Sequence, residues 1–92
     1  MSQSIANEPQ GFQFPGTFEL SAMGAADAGL ERLVPSVLAG LGLTVDLPSL
    51  RQRASTKGNY ISVAVSFQAA TRADYDAAHA ALRARPEVKW TL

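Results

Sequence analysis

YISVAVSFQAA, residues 60–70, alternates without a break. Ile61, Val63, Val65, Phe67 and Ala69 fall on one side, and Tyr60, Ser62, Ala64, Ser66 and Gln68 on the other. A period of two with one apolar side is the pattern of a strand buried on one face. Its length predicts the central strand of a sheet. The segment just before it, Thr56-Lys57-Gly58-Asn59, reads as a turn, with Gly58 available for a positive φ and Asn59 tolerant of left-handed backbone. Further upstream, Thr44 to Ser55 carries Val45, Leu47 and Leu50, but also Pro48. Proline cannot donate to a ladder and is confined to strand edges, starts and bulges. A ragged edge strand is therefore expected there, most regular from Leu50 to Ser55.

Beyond the central strand, Thr71 opens a helix, with Asp74 three residues on in a capping-box relation. Ala73, Ala77, Ala78, Ala81 and Leu82 make a thin apolar stripe, so this helix should lie close to the sheet. Arg83 and Arg85 suit its C-terminal end, and Pro86 stops it. Val88, Trp90 and Leu92 then alternate with Lys89 and Thr91 as a last strand. Toward the N-terminus, Leu30, Leu33, Val34, Val37, Leu38 and Leu41 form a continuous helical stripe. Pro35 lies inside it and removes the donor to the Glu31 carbonyl, which predicts a kink or a broken turn. Asp27 is expected to cap the start of this helix, and Gly40 or Gly42 to stop it. Thr17 to Gly24 alternates again, with Phe18, Leu20 and Ala22 on one face and Thr17, Glu19, Ser21 and Met23 on the other. Residues 1–11 are polar, aperiodic and contain Pro9 and Gly11, which reads as a flexible N-terminal arm. Phe12 and Phe14 pin its end to a single domain spanning 12–92.

The elements run strand, helix, strand, strand, helix, strand. Strands with one apolar face and helices with one stripe are satisfied together by two layers. The fold class is α+β: a ferredoxin-like βαββαβ two-layer sandwich, a four-stranded antiparallel sheet with two helices on one face. Right-handed crossovers put the first and third strands in the centre and the second and fourth at the edges. The uncovered side of the sheet is then flat and small, with Ser21, Ser62, Ala64 and Ser66 in its middle and Glu19, Arg51, Arg53 and Lys89 around it.

Composition narrows the chemistry. The 92 residues suit one domain, and 47% hydrophobic with 17% charged is ordinary globular usage. Eight basic residues balance eight acidic ones, so net charge argues neither for a nucleic-acid binder nor for an acidic tail; nucleic acid is not the expected partner, and steering toward it would have to come from a local patch. With no cysteine, disulfides, thiolate metal sites and cysteine nucleophiles are excluded. Met1 to Gln10 lacks a signal-peptide pattern, and no run approaches the ~18–20 apolar residues of a membrane span. A cytoplasmic location is expected, with no membrane contact.

Several stretches also resemble a known family. These are Phe14-Pro15-Gly16-Thr17-Phe18-Glu19-Leu20, Met23-Gly24, Ser55-Thr56-Lys57-Gly58-Asn59-Tyr60 with Ser62 and Val63, and Val88 to Leu92. Together they resemble the YbeD-like family of small bacterial proteins of unknown function, across residues 12–92. The most specific piece is Ser-Thr-Lys-Gly-Asn-Tyr, where family members usually carry Ser-Ser-Lys-Gly-Asn-Tyr. The chain departs at Thr56 and in an insertion-like stretch, Leu47 to Arg53. The resemblance implies a ferredoxin-like fold similar to amino-acid-sensing ACT domains, and no catalytic residues to transfer.

Weighing the candidate chemistry leaves binding ahead of catalysis. His79, the sole histidine, has no second ligand at helical spacing and reads as a surface residue. The first strand-to-helix loop, Met23 to Asp27, lacks both the cysteine pair of a metal chaperone and the phosphate-holding arginine of an acylphosphatase. Ser62, Ala64 and Ser66 replace the stacking aromatics of an RNA-binding sheet. No catalytic residue, metal or cofactor is expected. The candidate ligand- or partner-binding residues are Gly24, Arg51, Arg53, Lys57, Gly58, Asn59, Tyr60 and Ser62. Gly24 permits close backbone approach at the first helix N-terminus, near where ACT-like domains bind effectors at a subunit interface. Arg51, Arg53, Lys57 and Arg72 form a basic patch for an acidic partner, a phosphate or a carboxylate. The expectation is a non-enzymatic regulatory or binding module. It would act through a protein partner or a small anionic or amino-acid ligand, with a homodimer possible. The alternative is an RNA- or ribosome-associated protein using that patch.

Overall fold

The alternating stretch forms the strand it predicts. In the computed structural model, which describes residues 13–92, it is β3, Tyr60–Ala69. The other elements are β1 (Gly16–Ala25), α1 (Leu30–Gly40), β2 (Thr44–Ala54), α2 (Arg72–Arg83) and β4 (Trp90–Thr91). The order across the sheet is β2-β3-β1-β4, antiparallel throughout, with β1 and β3 central as the crossover argument requires. The expected arm, residues 1–11, and the anchoring role of Phe12 lie outside the described residues.

One face of this sheet carries the core. Leu20, Val63, Val65 and Phe67 are fully buried, as are Leu30, Val34 and Leu38 of α1 and Ala78 and Leu82 of α2. Each of these valine, leucine and phenylalanine side chains contributes about 1.5–3 kcal/mol relative to exposure, and the Ala78 methyl less. Phe14 packs on this core, its ring 5.1 Å from Phe18, and Phe18 lies 5.1 Å from Tyr75.

Three helix expectations need correction. Asp27 does not cap α1. The chain turns at Ala26–Ala28, and Gly29, at φ 74°, takes the cap position with no side-chain hydrogen bond. The helix continues through Pro35 without a broken turn; Leu30, Val34 and Leu38 are buried on both sides of it. It ends as expected, the amides of Gly42 and Leu43 donating to the carbonyls of Ala39 and Leu38. On α2 the buried stripe is rotated. Ala73 and Ala77 are exposed, whereas Tyr75 and His79 lean inward with Ala78 and Leu82. Positions 75, 78, 79 and 82 satisfy helical spacing equally well, and Tyr75 offers far more apolar area than alanine. The Thr71–Asp74 cap is present: the Asp74 amide donates to Thr71 Oγ1 at 3.2 Å.

The edges are irregular for different reasons. In β2, Thr44 to Asp46 pair with Gln68 to Ser66, and Arg51 to Ala54 with Ala64 to Ile61; Leu47 to Leu50 bulge out between them. Pro48 sits in that bulge. Ser49 patches it, its Oγ accepting the Ser66 amide at 2.8 Å and donating to the Asp46 carbonyl at 2.6 Å. At the other edge, β4 covers only part of β1. The backbones of Ser21 and Leu92 exchange reciprocal hydrogen bonds, and Gly16 to Leu20 have no strand partner on that side among the described residues.

Candidate functional site

Side chains paired directly across a ladder share a face, so the register draws in rows the side of the sheet that no described element covers. Arg53, Ser62, Met23 and Trp90 form one row across all four strands. Arg51, Ala64 and Ser21 form the next, with Leu92 beside Ser21. Asp46, Ser66 and Glu19 form a third. Above the first row stands Tyr60, whose ring meets that of Trp90 edge to face at 6.0 Å and 68°. One end of the face is thus aromatic and basic, and the other polar and acidic.

Trp90 on this face is a further correction to the sequence reading, which aligned it with Val88. Val88 is in the core, only 8% exposed, whereas Trp90 is 55% exposed. The amide of Lys89 donates at 2.7 Å to the carbonyl of Met23, the residue that Trp90 already faces. Two residues oppose one, which is a bulge and shifts the alternation by one position. The indole N–H supplied a hint, since a buried tryptophan needs a partner for it.

Small residues in the middle let long ones reach across. Arg51 on β2 pairs with Glu19 on β1, over Ala64 and Ser66 of β3. The pair is solvent-exposed and contributes little stability, but it neutralises Arg51. Arg53 and Lys57 have no acidic partner among the described residues. Three adjoining depressions, of about 460, 310 and 130 Å³, lie over this end, and Ser62 lines all three. Arg51, Arg53 and Ala64 line the first; Arg53, Tyr60 and Met23 the second; Met23, Trp90 and Leu92 the third.

The remaining candidates fall around this centre or away from it. Gly58, at φ 76°, makes the turn before β3, with its amide bonded to the Ser55 carbonyl at 2.9 Å. Asn59 is not left-handed; its carbonyl instead accepts the Ala26 amide at 3.0 Å, tying this turn to the β1–α1 connection. Gly24 is buried inside β1 rather than in a loop. A Cβ there would meet the Glu87 carbonyl oxygen at 2.2 Å, so the close approach it permits is made by its own chain. Arg72 does not join the basic patch. It starts α2 at the far end of β3 and pairs with Asp76 at 3.2 Å.

His79 is not a surface residue. It is half-buried on the helix layer, its ring 4.7 Å from Tyr75. Burial, and then the Arg83 cation, hold its pKa below the ordinary value, with Asp76 pulling the other way. A cavity of about 470 Å³ opens at the opposite end of the sheet beside Thr44, Gln68 and Asp74. There the Asp74 carboxylate is already engaged by the Ala70 amide at 3.2 Å. Among the described residues, no three His, Asp or Glu side chains come together as a metal site, and no helix is long and apolar enough to cross a membrane.

A family model described as a protein of unknown function, DUF493, matches residues 9–92. The chain belongs to the DUF493 family. A UPF0250 protein of Xanthomonas oryzae is 53% identical to it over 92 residues, covering all of both chains. Relatives under the same designation occur in Xanthomonas campestris, 52% identical over the full length, and Stenotrophomonas maltophilia, 51% identical over 94% of each chain. The family match includes every residue of the aromatic and basic end, from Met23 to Leu92. It agrees with the resemblance read from the Ser55–Tyr60 segment.

Proposed function

We propose that this DUF493 protein is a non-enzymatic binding module of the bacterial cytoplasm, working in the manner of an ACT-like domain through the uncovered face of its sheet. One observation carries the reading: a flat, small-residue floor bounded on adjacent sides by exposed aromatic and cationic side chains. Tyr60, Trp90 and Leu92 are 42%, 55% and 84% exposed, and they cluster instead of being scattered. A contiguous apolar patch rimmed by polar groups is what docking surfaces present. The one histidine lies on the helix side, away from this face.

Photo-crosslinking in cells tests it. A photoreactive residue at Ala64 should capture a defined partner, while one at Arg32, on α1, should not. Capture should fall when Tyr60 or Trp90 is replaced by alanine, and identical patterns from the two positions would sink the proposal. A thermal-shift screen of amino acids and anionic metabolites addresses a small effector in place of a protein. RNA association is the second reading, favoured by Trp90 standing beside Tyr60 and weakened by the loss of Arg72 from the patch. Binding to RNA that does not weaken as salt rises would remove its electrostatic basis.

A further inference from the structure

We infer that the Ser62-centred end of the open face recognises an acidic, apolar peptide segment of a partner protein. Arg53 would hold a carboxylate, and a neighbouring aliphatic side chain would seat against Met23, Trp90 and Leu92. The inference rests on the binding-module reading and deepens it by naming the partner's chemistry.

Charge comes first. The chain as a whole is neutral, with eight basic and eight acidic residues. This end of the face is not. Glu19 is matched by Arg51, which leaves Arg53 and the nearby Lys57 as surplus cations among the described residues. An arginine fork on an exposed sheet face, flanked by a serine hydroxyl, is suited to a planar carboxylate. The ligand must therefore carry negative charge.

Shape then chooses among anions. The depression beside Trp90 is about 130 Å³, lined by Ser21, Ala22, Met23, Ser62, Trp90 and Leu92. It offers room for one aliphatic side chain and little more. The adjoining floor of Ser21, Ser62 and Ala64 lets an extended backbone lie close to the sheet. A free phosphate would leave the apolar wall unused. Successive stacked bases need exposed ring faces that lie roughly parallel, whereas Tyr60 and Trp90 meet edge to face at 68°. A second copy of this face would bring as its acids Glu19, already paired with Arg51, and Asp46, both in a row with no aliphatic side chain to seat beside Trp90. A peptide alternating carboxylate and aliphatic side chains satisfies both halves of the site.

Trp90 is the sole tryptophan, so its fluorescence reports occupancy directly. The full chain is titrated with blocked synthetic peptides repeating Leu-Glu, Leu-Gln or Ser-Glu, and with inorganic phosphate and oligouridine. The Leu-Glu peptide should shift Trp90 emission saturably. The Leu-Gln and Ser-Glu peptides should each bind about tenfold more weakly. Arg53→Gln should lose about tenfold for Leu-Glu while leaving Leu-Gln unchanged, with the melting temperature intact. Equal binding of Leu-Glu and Leu-Gln, tighter binding of oligouridine or phosphate, or no shift with any probe would overturn the inference. The crosslinking experiment separates its failure from that of the broader reading. Capture lost in Trp90→Ala but kept in Arg53→Gln would retain the docking face and reject the carboxylate. Capture unchanged in both would reject the face itself.

Discussion

At the scale of single residues, two positions carry sharp expectations. Gly24 has no room for a methyl group, because the Glu87 carbonyl oxygen would lie 2.2 Å from it and Leu30 Cδ1 3.2 Å. The Glu87 carbonyl is backbone and cannot yield as the flexible end of the Leu30 side chain would. Gly24→Ala should therefore cost about 1–3 kcal/mol, lowering the melting temperature by roughly 4–8 °C per kcal/mol in a domain of this size. An unchanged melting curve would refute the close approach. His79 makes the fold sensitive to pH. Its folded pKa is depressed by burial and by Arg83, so around the ordinary histidine value of 6.5 the unfolded chain binds the proton more readily. The stability that neutral His79 provides is present above 6.5 and is lost as pH falls from there through the folded value. Melting temperature should decline over that window in the native protein and flatten in His79→Gln. The same slope in both would show that other groups set it. Tyr60, Ser62, Arg51 and Arg53 were legible as neighbours on one end of the open face, the first two from the unbroken alternation of β3 and the other two from the regular end of β2 past its bulge.

At the scale of elements, local signals succeeded and long-range ones did not. The Thr71–Asp74 cap was readable because donor and acceptor are three residues apart. The Asp27 cap failed because the connection turns before the helix, Ala28 bonding back to Ala25 and the Ala26 amide to the distant Asn59 carbonyl, so that Gly29 opens α1 two residues later. Pro48 marked the β2 edge correctly, yet the repair of its bulge by Ser49 could not be seen without the register. That repair is testable. In Ser49→Ala the Ser66 amide loses its acceptor, which now lies at 2.8 Å, at a cost of about 1–2 kcal/mol. Urea unfolding should show a lower midpoint with an unchanged slope. No loss of stability would mean that water replaces the hydroxyl.

For the molecule as a whole, the layer order was readable from two alternating stretches and two helical stripes, since amphipathic elements have few ways to bury one face together. The site was only half readable. Period two assumes that no residue is inserted, and the bulge at Lys89 and Trp90 breaks that assumption, hiding Trp90 and Leu92 from the open face. The shortness of β4 has a further consequence. Ser21 turns its amide and carbonyl toward Leu92, and in a strand every second residue does the same. Thr17 and Glu19 therefore aim their amides at the edge where no described strand lies, while Phe18 and Leu20 aim theirs at β3. Transferred to heavy water, β1 should label as a striped ladder. Thr17 and Glu19 should take up deuterium on the timescale of open chain, and their immediate neighbours only when the whole domain opens. Uniform protection along Gly16 to Leu20 would mean that another strand lies there, and that this border of the sheet is already occupied.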